Sequence, residues 1–223
     1  MASLLFYPEV SMEILFITDY VCPYCLVAKT ALTRALKLLE IPAQITYQPF
    51  ELTPPPRPQV DTYSDPVRRE KYRVLHQPCA RLELPMQLPP RVIPRPYTRL
   101  AFQGMLFARD HGREEVYSDL VYRAYFMEER DIGTVDVLTE LAAAAGLDSD
   151  AFRTALEQGT YAEAELQSVT YAREVLKPAG VPTIYINGEK ISLRDYSLEE
   201  MTAILRGASE AEAPGFSCSA EGC

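Results

Sequence analysis

In the stretch Tyr20-Val21-Cys22-Pro23-Tyr24-Cys25-Leu26 two thiols stand three positions apart. Such a pair can be half of a zinc site, a structural disulfide, or a redox couple that opens and closes. Proline suits the first position of a helix, where its missing N–H would be unpaired anyway, so Pro23 places Cys22 at the N-cap. There the Cys22 sulfur faces unpaired N–H groups and the positive end of the helix dipole, and both favour thiolate over thiol. Cys25, a turn further in, lies on the inner side of the helix and is the more shielded. Exchange chemistry requires that asymmetry: one sulfur attacks and the other resolves the mixed disulfide. A four-ligand zinc site needs a second pair of ligands. Cys218 and Cys223 could supply one, but the four residues between them make a loose spacing, and the only histidines, His76 and His111, read as surface residues. The context favours the redox pair.

Positioning these thiols requires a strand before them and a helix after them. Glu13–Tyr20 is a short apolar run with Ile14, Phe16 and Ile17, a buried strand. Ala28, Leu32, Ala35, Leu36 and Leu39 then recur at helical spacing until Ile41–Pro42 ends the helix. Ala43–Phe50 alternates as a second strand. Eleven of the 18 prolines fall between Pro54 and Pro96, which predicts extended linker and loop. From Tyr97 to Leu176 the pattern is helical, with segments ending at Gly112 and Gly146 and a capping-type Thr134. The Tyr and Phe residues of this block sit at helical intervals, as packing residues do. After Gly180, Val-Pro-Thr-Ile-Tyr-Ile and Lys-Ile-Ser-Leu flank Asn187–Gly188, a strong hairpin signal. Ser197-Leu198-Glu199-Glu200 is a capping box opening a last helix that ends near Gly207. The order β-α-β, helical block, α-β-β-α predicts a mixed α/β sheet with helices packed on it.

The 223 residues can bury a sizeable core, and a formal charge of −9 argues against nucleic acid as a partner, since phosphate needs a basic face. No stretch approaches the roughly 20 apolar residues of a membrane helix, so no membrane partner is expected. Met1–Val10 lacks the basic start and apolar run of a secretory signal, which predicts a cytoplasmic protein. Five cysteines are too few for a disulfide-stapled fold, and Cys79 reads as a buried small hydrophobe. Residues 208–223 are small, polar and acidic, which predicts a mobile tail ending in the Cys218/Cys223 pair. Flexible chain of that length could carry the pair to Cys22–Cys25, so a disulfide relay between the two pairs is a candidate function of the tail. The oligomeric state is left open.

Val-Cys-Pro-Tyr-Cys after the first strand, with Gly180-Val181-Pro182-Thr183 opening a later one, resembles the thioredoxin superfamily. A helical block between the two halves is the arrangement of DsbA-like proteins, and the FrnE-type branch is similar from about Glu13 to Gly207. The resemblance implies a thioredoxin-like domain formed by residues 13–62 and 168–207, with a helical insertion domain over 63–167. It implies that Cys22 attacks, that Cys25 resolves, and that Pro182 is the cis proline beside the CxxC helix. Proline there offers no N–H, leaving the Val181 backbone free to pair with an extended substrate, flanked by Pro23, Tyr24 and Thr183. The implied partners are proteins bearing disulfides or thiols; no cofactor is tightly bound, and glutathione is a candidate electron donor or acceptor. Related glutathione transferases and hydroxychromene-carboxylate isomerases carry Ser at the first cysteine, so the intact Cys22 favours disulfide exchange. Two alternatives stand beside it: a glutathione-dependent isomerase or transferase acting on a small aromatic metabolite, and a redox-switched, chaperone-like binding module.

Overall fold

A computed structural model describes residues 11–212. The first strand, β1 (Met12–Thr18), buries Met12, Ile14 and Phe16 and leads through Asp19–Val21 into α1 (Pro23–Leu39). Helix α1 ends where Glu40 adopts a left-handed conformation; Glu40 N and Ile41 N donate back to Lys37 O and Leu36 O, and Pro42 forbids continuation. Strand β2 (Ala43–Pro49) lies parallel to β1 in the register Met12↔Ala43 to Thr18↔Pro49. After the helical block, β3 (Thr183–Ile186) runs antiparallel to β1, pairing Ile17 with Thr183, and β4 (Glu189–Lys190) completes the order β2-β1-β3-β4. Positive φ angles at Asn187 and Gly188 make the turn between them. The Asn187 side chain also accepts from Glu13 N at 2.9 Å, tying the hairpin to the start of β1.

The block between β2 and β3 holds α4 (Arg99–Asp110), α5 (Glu114–Phe126), α6 (Val135–Ala144), α7 (Ser149–Glu157) and α8 (Ala162–Tyr171). Tyr117, Tyr122, Tyr125, Phe102, Phe126 and Phe152 are fully buried there. They belong to one apolar core that continues into β1 and α1, so sheet and helical block share their interior. This is an α/β thioredoxin-like fold with a helical insertion.

Three expectations need correction. The proline-rich segment is not all loop: it contains α2 (Pro66–Glu70), a 3₁₀ turn at Arg73–Leu75 and α3 (His76–Arg81). Pro66 sits where proline starts helices, and the Asp65 carboxylate accepts from Val67 N and Arg68 N, a cap signal that proline content masked. Thr134 stands at the start of α6, but its hydroxyl donates to Asp131 O instead of capping. The helical pattern does extend to Leu176, its last turn being a π turn over Ala172–Leu176 that closes at Lys177 with positive φ. The last helix, α9 (Leu198–Glu212), runs past Gly207: Leu205 and Arg206 before it and Ala208 and Glu210 after it are good helix formers that sustain the helix. The tail expected from 208 is thus helical to 212, and the Cys218/Cys223 relay lies outside the described residues.

Candidate active site

The turn before α1 is held by its own backbone and by one carboxyl group. Cys22 N donates to Asp19 O at 3.0 Å and Cys25 N to Cys22 O at 3.1 Å. The Asp19 carboxylate accepts from Val21 N and, at 2.7 Å, from Leu52 N, so it joins this turn to the chain leaving β2. Complete burial raises the Asp19 carboxyl above its ordinary range, against the donors that lower it.

Cys22 occupies the N-cap of α1 with extended backbone (φ −90°, ψ 112°). The first turn of α1 carries no acidic residue and receives no side-chain cap. The positive helix end at Cys22 is therefore unneutralised. Cys25 is completely buried, whereas Cys22 keeps a sliver of exposure, 4% against 0%. Burial pushes the Cys25 thiol well above the ordinary range, and the neighbouring Cys22 thiol pushes it further; the Thr18 hydroxyl and the Asp19 backbone amide oppose the shift.

Strand β3 brings the other half of the site. Because Thr183 pairs with Ile17, the preceding residues cross beside the start of α1. The Val181–Pro182 peptide bond is cis, and the Cys22 thiol points at Val181 O, 3.5 Å away. Thr183 donates its hydroxyl to Gly180 O at 2.8 Å, pinning the loop from the other side. Cys22, Cys25, Val181, Pro182 and Thr183 are thus drawn together from opposite ends of the chain. Pro23 and Tyr24 open α1 at the same place, and Tyr24 tilts against Tyr196 with ring centroids 5.7 Å apart.

Beside Tyr24 lies an open cleft of about 270 Å³, walled by Leu75, Pro78 and Arg81 from the helical block and by Arg194 and Tyr196 after β4. Arg81 and Asp195 form an ion pair of 3.4 Å across it. Tyr196 has a positive φ, and burial, then the two cysteines, raise its phenol. Cys79 faces Met86 at 3.7 Å, with burial raising its thiol to about 11, which suits a packed side chain. His111 stacks on Phe107 at the end of α4, its Nδ1 2.8 Å from Phe107 O. Among the described residues no cluster of three His, Cys, Asp or Glu side chains could hold a metal ion.

Four residues around the site were not singled out in the sequence: Thr18, Asp19, Tyr122, whose phenol donates to Asp19 O at 3.4 Å, and Tyr196. Position alone could have flagged Thr18 and Asp19, between strand end and N-cap. Tyr122 and Tyr196 sit in segments whose pattern reports packing and turn chemistry only.

The chain matches the family model described as DSBA-like thioredoxin domain over residues 13–202. It is 39% identical over 170 residues to the uncharacterized protein YwbO of Bacillus subtilis, covering 76% of this chain and 84% of that one. Among solved structures, a probable DsbA oxidoreductase from Streptomyces coelicolor superposes with a TM-score of 0.73 at 24% identity, over 95% of this chain and 96% of the other. The cytosolic disulfide reductase DsbM of Pseudomonas aeruginosa follows at 0.66 and 18%, over 89% and 99% of the two chains. A 2-hydroxychromene-2-carboxylate isomerase reaches 0.69 at 16%, over 89% and 95%, so the fold by itself accommodates more than one chemistry. On the match over residues 13–202 and the relative at 39% identity, the chain belongs to the DSBA-like thioredoxin domain family.

Proposed function

We propose that this protein is a cytoplasmic thiol–disulfide oxidoreductase of the FrnE type that exchanges disulfides with protein substrates. The observation that carries the reading is the Cys22 sulfur, 3.5 Å from Val181 O beside cis Pro182, with Cys25 buried one helical turn below. The Cys22 thiolate attacks a substrate disulfide, forming a Cys22–substrate disulfide and releasing one substrate thiolate. Cys25 then gives up its proton and displaces the second substrate sulfur, leaving Cys22–Cys25 oxidised and the substrate reduced by two electrons. Val181 lies just beyond the last β1–β3 pair, so its backbone is placed to add an extended substrate segment, with Pro23, Tyr24 and Thr183 around it. Glutathione is the proposed electron donor or acceptor. In this proposal Cys218 and Cys223 pass disulfides to and from Cys22–Cys25; replacing both by Ser should then slow turnover.

Insulin reduction and refolding of scrambled ribonuclease test the proposal. Catalysis of either, lost in Cys22→Ser, is expected. An inactive parent protein that nevertheless turns over a glutathione-dependent small-molecule isomerisation would overturn it in favour of that alternative.

A further inference from the structure

In the exchange proposed above, on which this inference rests, a substrate sulfur bonded to Cys22 sits at the start of α1, with two ways out for its chain. On one side is the Val181 backbone, whose carbonyl is 3.5 Å from the Cys22 sulfur. On the other is Tyr24, the second residue of α1, and the cleft of about 270 Å³ beside it. No step of the exchange uses that cleft. Its walls come from separate parts of the chain: Tyr24 from α1, Val74 from the 3₁₀ turn, Pro78 from α3 and Tyr196 from the loop before α9. Tyr24 and Tyr196 close one side together, with ring centroids 5.7 Å apart. Val74 is apolar yet 64% exposed. A single exposed apolar side chain is ordinary, but this one shares a concave surface with two phenol rings and a proline.

The rim of the cleft is basic. Arg81 and Arg194 stand there against one carboxylate, Asp195, in a protein whose formal charge is −9. The Arg194 side chain is 91% exposed and meets Glu200 through Nε at 3.4 Å. Glu200 is already occupied by Arg194 N, Asp195 N and Tyr196 N. Arg81 pairs with Asp195 at 3.4 Å, both about half exposed, and such a pair contributes little to stability. Asp195 also accepts from Ser197 N at 2.9 Å, so Arg81 can turn to another carboxylate without stranding it.

We propose that this cleft is the specificity subsite of the exchange site. It takes a large apolar or aromatic side chain next to the reactive cysteine of a protein substrate, and Arg81 and Arg194 hold a carboxylate beside that side chain. Two features select a protein segment over a small molecule. A volume of about 270 Å³ holds one large side chain and falls below the ~300–1,000 Å³ of sites that enclose a whole ligand. Glutathione has carboxylates for the two arginines, but it brings no apolar side chain to the surface made by Tyr24, Val74, Pro78 and Tyr196. Burial of apolar area drives that contact, and charge complementarity governs encounter and choice of partner.

The test uses short cysteine peptides carried as mixed disulfides with thionitrobenzoate, and reduced Cys25→Ser protein, in which the reaction stops after attack. The Cys22 thiolate bonds to the peptide sulfur and releases the coloured thionitrobenzoate anion; one disulfide is broken and one formed. Each peptide is made with its varied residues on either side of the cysteine. A peptide with phenylalanine and glutamate beside the cysteine should react about tenfold faster than one with lysine for the glutamate, and about fivefold faster than one with alanine for the phenylalanine. In the Arg194→Glu variant the glutamate and lysine peptides should come within about twofold of each other or exchange order. Val74→Ser should at least halve the preference for phenylalanine. Both side chains are exposed, so neither change threatens folding. Salt near 1 M, where the screening length is about 3 Å, should narrow the glutamate–lysine ratio in the otherwise unaltered protein.

Equal rates for all the peptides, or a preference that either substitution leaves intact, would overturn the inference. So would a loss in Arg194→Glu confined to the glutathione–thionitrobenzoate disulfide, which would assign the cleft to glutathione. A protein whose Cys22 releases thionitrobenzoate from none of the peptides would instead refute the exchange reading itself.

Discussion

Burial and the adjacent Cys22 thiol hold the Cys25 proton, while the unneutralised start of α1 lies at Cys22. Brief treatment of the reduced protein with limiting iodoacetamide should therefore modify Cys22 first and leave Cys25 untouched until the protein is unfolded; modification of Cys25 first would reverse the assigned roles. A second buried group makes its own prediction. Glu165 and Glu51 are almost fully buried and share Arg99 as ion-pair partner, at 3.5 and 3.7 Å. Burial, then the Glu51 charge, pushes the Glu165 carboxyl up to about 7 against the pull of Arg99. The folded protein thus holds a proton that the unfolded chain, with an ordinary carboxyl near 4.5, has already released. That contribution to stability is complete below the unfolded value and is lost as pH rises through about 7. Burial also raises Glu51 and Asp19, in the same direction. The urea midpoint should fall between about pH 5 and about pH 8, and Glu165→Gln should flatten that fall. A midpoint that rises over this range would contradict it.

At the scale of elements, the close contacts are made where one helix gives up side chain for another. A Cβ on Gly104 of α4 would lie 2.2 Å from the Tyr117 hydroxyl and 2.6 Å from the Phe152 ring. Gly104→Ala should destabilise the protein by about 2 kcal/mol through overpacking of α4 against α5 and α7, measured by urea denaturation. A neutral or stabilising result would mean that the rings move aside. The end of the chain shows how local signals convert to structure. Ser197 does cap α9, accepting from Glu200 N at 3.0 Å, but the Glu200 carboxylate reaches past the cap to Arg194 N, Asp195 N and Tyr196 N. It thereby fixes the loop that carries Tyr196 over the cleft. Strand alternation, Pro23 and Asn187–Gly188 made the sheet, α1 and the hairpin legible, because each is a short-range effect of residue type. The helices of the proline-rich segment were not, since their proline count spoke louder than the Asp65 cap. Tyr122 could not be found either: helical spacing says which face is inside, not which buried hydroxyl meets a strand 104 residues away.

Across the whole molecule the helical block is bonded to the sheet at several points, not merely stacked on it. Tyr122 meets Thr18, Gln48 donates to Ser168 O at 2.8 Å, Arg109 donates to Tyr47 O at 2.6 Å, and one apolar core runs through both parts. Unfolding should accordingly be a single cooperative transition, with tyrosine fluorescence and far-ultraviolet dichroism coincident in urea; two separated transitions would show that the parts fold independently. In the proposed function, one half of the chain supplies the attacking and resolving sulfurs while the other shapes what reaches them. The decisive measurement is to trap that chemistry on a protein substrate. Reduced Cys25→Ser protein is incubated with insulin, and the disulfide-linked product is mapped by mass spectrometry. The account predicts a mixed disulfide through Cys22 that persists in Cys25→Ser and is absent from Cys22→Ser. No covalent adduct, or one carried by Cys79 or Cys25 in place of Cys22, would contradict it.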